Sequence, residues 1–140
     1  MITRYQSKLS GPLLDRIELH LDVPRVDYDK LMSNTRGESS ATVQQRVEAA
    51  RARQRARFAN LNGILTNSDM RVAEVQKYCV MRPDAQQLME LSVKRMQLSA
   101  RAYHRVLKLS RTIADLADSE LIEAQQVAEA LQYRPRQAMQ

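Results

Sequence analysis

The chain has 140 residues, 44% of them hydrophobic, and a formal net charge of +6, with an isoelectric point near 9.8. That length suits one domain with its own core, and one phenylalanine, no tryptophan and three glycines exclude the aromatic, turn-rich pattern of an all-β protein. The single cysteine, Cys79, excludes an intramolecular disulfide or a thiolate metal cluster within one chain and suits a reducing cytoplasm.

No apolar run nears the ~20 residues that span a bilayer, and the opening MITRYQSKLS lacks the apolar centre of a signal peptide. The expectation is a cytoplasmic protein, neither exported nor inserted in a membrane. Its positive charge comes from arginine far more than from lysine. Such a balance attracts phosphate, whether of nucleic acid or of a nucleotide, without choosing between them.

In chain order, Leu9 to Asp15 predicts a short helix, with Gly11-Pro12 marking a turn or its start. Ile17, Leu19, Leu21 and Val23 then alternate with Glu18, His20 and Asp22, the period of a half-buried β-strand that Pro24 ends. A short DYDKLM segment follows. Gly37 breaks the chain and Ser39 or Ser40 caps the next helix. That helix, about Ala41 to Ala59, places Val43, Val47, Ala50 and Phe58 on one stripe and is dense in arginine.

A polar connector with Gly63 leads to a short helix near Met70 to Tyr78. Pro83 opens a helix reaching about Gln97, since its missing N–H costs nothing in the first turn. Ser99 caps the strongest helix, SARAYHRVLKLSRTIADLAD. There Ala102, Val106, Leu109, Ile113 and Leu116 recur at spacings of three and four, and Leu107, Ser110 and Ala114 widen the stripe, so this helix is expected at the centre. A last helix, about Glu123 to Gln132, buries Val127 and Leu131, and the tail from 135 to 140 is expected to fray. The pattern contains no internal repeat, low-complexity tract or interdomain linker.

A lone strand leaves its main-chain donors and acceptors unpaired, and even a two-stranded hairpin is marginal in water. Its partners are therefore expected outside this sequence. Pairing with a symmetry mate, or an amphipathic loop in place of a strand, are the competing readings.

Four blocks in this order, YQSKLSGPLLDRIELHLDVP, RGESSATVQQRVEAARARQ, LSARAYHRVLKLSRTIADLADSE and AEALQYRP, resemble the C-terminal part of the bacterial magnesium-chelatase-like AAA+ ATPases, in the branch linked to competence and DNA processing. The resemblance covers nearly the whole chain. It implies a mainly α fold: a helical lid domain, a helix bundle, preceded by one orphan β-strand that belongs to an α/β nucleotide-binding core lying upstream. Residues 1–26 would be the last helix and strand of that core, 27–134 the lid, and 135–140 a disordered tail. Gly11, Gly37 and Gly63 stand alone, so no GxxxxGK[ST] phosphate loop is present, and no acidic magnesium-binding pair follows a hydrophobic strand.

On the same resemblance, Arg16 in GPLLDRIE falls where such ATPases carry an arginine finger, a permanent cation that a neighbouring subunit lends to phosphoryl transfer. The plainer alternative pairs Arg16 with Asp15 or Glu18 at the surface. Arg101 in LSARAYHR matches the second-sensor arginine, which reaches the γ-phosphate bound by its own subunit. The first turn after a cap, with free N–H groups and the helix dipole, also favours an anion. Arg105, one turn on, is the rival. ATP and magnesium are implied for the intact protein and none for the fragment alone, which is not expected to hydrolyse ATP. The implied partners are the upstream core of the chain, neighbouring subunits of a hexameric ring, and either DNA, which the competence-linked branch favours, or a metal-insertion partner, with no membrane.

Arg46, Arg53 and Arg57 fall on one side of the apolar stripe of their helix, and Arg51 and Arg55 on the other. Flanking arginines commonly lay their stems along apolar surface and keep their heads wet. A stand-alone basic helical module that binds nucleic acid through Arg51 and Arg55 is the alternative function, and an adaptor docking through the strand is a third. His20, His104 and Cys79 lack metal-ligand spacing, so no metal site is expected. Asp15, Asp115, Asp118 and Glu120 form no recognisable acid/base constellation.

Overall fold

The computed structural model describes residues 16, 17, 19–25, 32 and 37–134. The helix expected over Leu9 to Asp15, most of the DYDKLM segment and the tail from 135 lie outside the described residues. Among residues 37–134 five α-helices follow one another: α1 (Ser40–Phe58), α2 (Val72–Tyr78), α3 (Pro83–Met96), α4 (Ala100–Leu116) and α5 (Ala124–Gln132), with a 3-10 turn over Asn67–Asp69. The protein is mainly helical, and each helix lies within two residues of the boundaries its sequence predicts.

Local chemistry explains those boundaries. The Ser39 hydroxyl accepts the Thr42 N–H at 3.2 Å, and the Ser99 hydroxyl accepts the Ala102 N–H at 3.2 Å, so α1 and α4 start where an oxygen satisfies an otherwise orphaned donor. Pro83 is the first residue of α3. That helix ends on Gln97 in the left-handed region, φ 46°, a cap that reverses the chain into Ser99 and α4. Gly63 supplies φ 78° in the connector between α1 and the 3-10 turn.

Helix α4 is the hub, packing on α1, the 3-10 turn, α2 and α5, while α3 packs on α5. The core joins Phe58, Ile64, Met70, Val75, Cys79, Ala85, Met89, Val106, Leu107, Ala114, Ile122, Val127 and Ala130, and Phe58 meets Tyr78 edge to face with centroids 5.6 Å apart. A single parallel bridge between Met81 and Ile122 fastens the α2–α3 link to the α4–α5 link, with the Ile122 N–H donating to Val80 at 2.9 Å and the Arg82 N–H to Ile122 at 2.8 Å.

Three packing expectations are corrected. On α1, Ala50 and Phe58 are buried but Val43 and Val47 are exposed; only the C-terminal half of the helix meets the bundle, so the apolar stripe runs past the surface that could cover it. On α4 the buried residues are Ala102, Val106, Leu107, Ser110, Arg111, Ala114 and Asp115. That face keeps Ala102, Val106, Leu107, Ser110 and Ala114 of the expected stripe, but its centre lies about a third of a turn, at ~100° per residue, from the line through Leu109, Ile113 and Leu116, because a polar network described below occupies the inner side of the helix. In α5 Val127 is fully buried and Leu131 only partly so.

The described residues form no β-ladder. Ile17, Leu19, Leu21 and Val23 are exposed, Val23 to 90%, and the His20 N–H donates to the Tyr133 carbonyl at 2.9 Å, which ties this segment to the end of α5. The half-buried face that the alternation predicts is not formed among the described residues.

Candidate functional site

Two polar clusters flank α4, and they differ in how their charges are matched. The first lies inside. Asp115 is fully buried and Arg111 is 2% exposed. Arg57 grips the Asp115 carboxylate with two bonds, Nη1 to Oδ2 at 2.8 Å and Nη2 to Oδ1 at 2.5 Å; Arg111 Nε donates to Oδ1 at 3.2 Å, and Asn67 Nδ2 to Oδ2 at 2.8 Å. Arg111 also donates to the carbonyls of Glu120 at 2.6 Å and Ser119 at 2.5 Å. Arg53 donates to the Asp115 carbonyl at 2.9 Å and pairs with Asp118.

The two guanidiniums that share Asp115 shift in opposite directions. Hydrogen bonding to Asp115 raises the pKa of Arg57, whereas burial lowers that of Arg111 despite the same carboxylate. Both stay charged at any ordinary pH. A cavity of about 550 Å³ opens beside this network, where Arg53, Arg57, Lys77 and Arg111 stand with Asp115, Asp118 and Glu120. The guanidiniums of Arg53, Arg57 and Arg111 are each answered by a carboxylate or a carbonyl, so the cluster holds α1, the 3-10 turn and α4 together; removing Asp115 leaves the Arg57 and Arg111 guanidiniums without their carboxylate.

The second cluster is a groove of about 370 Å³ between α4 and the start of α2. Arg101, His104, Arg105 and Lys108 line one wall and Arg71 the other, over a floor of Met70, Val72 and Val75. Positions 101, 104, 105 and 108 share one face of a helix by the spacing of three and four. No described lining residue is a carboxylate. Arg101 stands exposed in the first turn of α4, beside the amides that the Ser99 cap leaves pointing outward.

The opposite wall is pinned at several points. Asp69 accepts from the Thr66 N–H at 2.9 Å, the Leu65 N–H at 3.1 Å and the Thr66 hydroxyl at 2.9 Å, and these bonds lower its pKa. Lys108 Nζ donates to the Ser68 carbonyl at 2.8 Å, Met70 is 2% exposed, and Asn67 belongs to the Asp115 network. The Arg71 N–H donates to Glu74 at 2.8 Å, which starts α2.

The sequence-derived candidates therefore separate. Arg101 and Arg105 share the groove; Arg16, Arg51 and Arg55 do not line it. Arg16 is exposed in a turn. Arg46 pairs with Glu38 at 2.8 Å and Arg55 approaches Glu48 at 3.8 Å, while Arg53 and Arg57 turn inward to Asp118 and Asp115. Among the described residues no three His, Cys, Asp or Glu side chains could hold a metal ion, and no helix is long and apolar enough to cross a membrane. Cys79 is buried, and burial pushes its thiol up to about 11, so it is not a thiolate near neutral pH.

Three groove residues were not singled out for this role from sequence. His104 and Lys108 were legible, since they lie three and seven positions beyond Arg101 on its face; Arg71 was not, because thirty positions separate it from Arg101 in the chain.

The fold and the groove describe a helical domain with a phosphate-friendly surface, and comparison with known proteins gives its kin. Residues 37–134 match the family described as magnesium chelatase, subunit ChlI C-terminal, and residues 1–31 match the family described as magnesium chelatase, subunit ChlI. The chain belongs to the magnesium chelatase ChlI C-terminal family. It is 42% identical over 132 residues to the protein called YifB of Salmonella typhimurium, covering 94% of this chain and 25% of that protein. It is 39% identical over 134 residues to the competence protein ComM of Haemophilus influenzae, covering 95% and 25%, and 34% identical over 133 residues to a Mycobacterium tuberculosis protein, covering 94% and 26%. The chain thus spans about a quarter of the length of these relatives.

Proposed function

We propose that this chain is the helical lid of a magnesium-chelatase-like AAA+ ATPase that works as an oligomeric ring on DNA. In this reading residues 1–26 end the nucleotide-binding core, 27–134 are the lid and 135–140 a tail. The observation that carries it is the place of Arg101: an exposed guanidinium in the first turn of a capped helix, in a groove whose described lining carries cations and no carboxylate. Such a surface fits the phosphates of ATP and offers, in its described lining, no carboxylate for magnesium, which the core would hold. When bound, ATP supplies the scissile phosphoryl group.

Arg101 holds a γ-phosphate oxygen of the nucleotide in its own subunit, with Arg105 as the alternative for that contact. Arg16 reaches the nucleotide of the neighbouring subunit and stabilises charge on the transferring phosphoryl group. Ile17, Leu19, Leu21 and Val23, exposed among the described residues, pair with strands of the upstream core. Kinship with a competence protein supports DNA as the substrate moved. The alternative of a stand-alone nucleic-acid module through Arg51 and Arg55 draws less support, because Arg53 and Arg57 of the same helix are committed to carboxylates.

The test is ATP turnover by the full-length protein. Arg16→Ala and Arg101→Ala each lower it at least about tenfold with the fold intact. Arg16→Ala subunits also poison wild-type rings on mixing, since the finger serves a neighbour. Unchanged turnover in both variants refutes the assignment.

A further inference from the structure

We propose that Arg71 is the second jaw of a polyphosphate clamp: together with Arg101 across the groove, it grips the phosphate chain of a nucleoside triphosphate. This deepens the lid reading and rests on it for the nucleotide, whereas an anion site between α4 and the start of α2 stands on the groove itself. Arg71 and Arg101 are both exposed, line the same cavity, and form no ion pair with a described residue. The cavity beside Asp115 is the contrast, since there every guanidinium meets a carboxylate or carbonyl.

Preorganisation supports the clamp. The wall that carries Arg71 is fixed to α4 by the Lys108 to Ser68 bond of 2.8 Å and by Asn67 on Asp115 at 2.8 Å, and Met70 anchors it in the core. The fixed walls spare binding any rearrangement of the backbone, and the two guanidiniums present planar forks to phosphate oxygens. The groove volume, about 370 Å³, lies at the low end of the ~300–1,000 Å³ typical of small-ligand sites. A polymer backbone would need a longer track, so a short phosphate chain is the better fit.

The experiment is calorimetric titration of this chain at low salt with inorganic tripolyphosphate, ATP and a single-stranded oligonucleotide. Tripolyphosphate and ATP are expected to bind, with Arg71→Ala and Arg101→Ala each weakening both about tenfold. Arg71→Lys, which keeps the charge but loses the fork, is expected to fall between, and Arg55→Ala to leave binding unchanged. Arg71 is exposed, so its variants should fold, and circular dichroism checks that they do. If Arg101→Ala weakens tripolyphosphate and Arg71→Ala does not, the clamp is overturned and the lid reading survives. If neither variant matters, the groove is not the anion site. Tighter binding of the oligonucleotide through the same two arginines overturns the nucleotide assignment. Full-length turnover that ignores Arg101→Ala, with the clamp intact in the titration, removes the lid reading alone.

Discussion

Replacing Asp115 by alanine tests the inner network most severely. The carboxylate accepts two bonds from Arg57, at 2.8 and 2.5 Å, one from Arg111 at 3.2 Å and one from Asn67 at 2.8 Å. Without it, two guanidiniums, with side chains 2% and 16% exposed, keep their charge in a space that offers Arg111 only the carbonyls of Ser119 and Glu120. Removing one partner of a buried ion pair costs about 3–5 kcal/mol, a large part of the ~5–15 kcal/mol that holds a domain folded. With a urea slope of about 1.5 kcal/mol/M, the midpoint should fall by roughly 2–3 M. Equilibrium unfolding followed by circular dichroism reads this directly. A loss below about 1 kcal/mol, the range of exposed pairs, would refute the claim that Asp115 is the shared anion of a sealed network. Asp115→Leu combined with Arg111→Met, which removes both charges and keeps apolar volume, should recover part of the loss.

Other outcomes follow from particular contacts. Ser99→Ala deletes the cap of α4 and should cost about 1 kcal/mol in urea unfolding, while Ser119→Ala should cost less, its hydroxyl being an exposed contact to Leu121. The Cys79 thiol rises from an ordinary 9.0 to about 11 on folding, so the folded state keeps its proton longer than the unfolded chain. Stability should therefore decline between pH 9 and about 11, by up to roughly 3 kcal/mol, and Cys79→Ala should remove that part of the slope; equal slopes in both proteins would contradict it. Asp69 shifts the other way, its carboxylate held down by the Leu65 N–H and the Thr66 hydroxyl and N–H. Its contribution is present above the ordinary 3.8 and is lost as pH falls through the lower folded value, so Asp69→Asn should flatten acid unfolding in that window.

Much of the fold was legible because helix boundaries are local. Ser39, Ser99 and Pro83 each act within one turn, and the helices begin where these residues place them. Which face of a helix lies inside is not local. The line of Ala102, Val106, Leu109, Ile113 and Leu116 counts apolar residues, yet the inner face of α4 is decided by Arg111 and Asp115, whose partners Arg57 and Asn67 lie more than forty positions away. A charged pair four residues apart reads as a solvated edge until a third group, far off in the chain, seals it. The same holds for the arginine-rich helix, where position relative to the stripe did not reveal that Arg53 and Arg57 meet carboxylates of α4 and its C-terminal turn while Arg51 and Arg55 face outward.

The candidate site divides along the same line. Arg101 was legible from its motif and its place beside a cap, and Arg105, His104 and Lys108 follow from helical spacing. Arg71 required the chain to fold back through the 3-10 turn. The alternating segment from Ile17 to Val23 keeps its apolar side chains exposed, since no strand among the described residues offers a ladder; the period of a sequence states what a neighbour would cover and does not supply the neighbour.

A residue that touches a γ-phosphate distinguishes ATP from ADP. The decisive measurement is therefore the affinity of the full-length protein for a slowly hydrolysed ATP analogue and for ADP, with and without Arg101. Arg101→Ala should weaken the analogue about tenfold and leave ADP binding unchanged. Equal weakening of both nucleotides, or no change in either, would contradict the role given to Arg101 as the γ-phosphate contact.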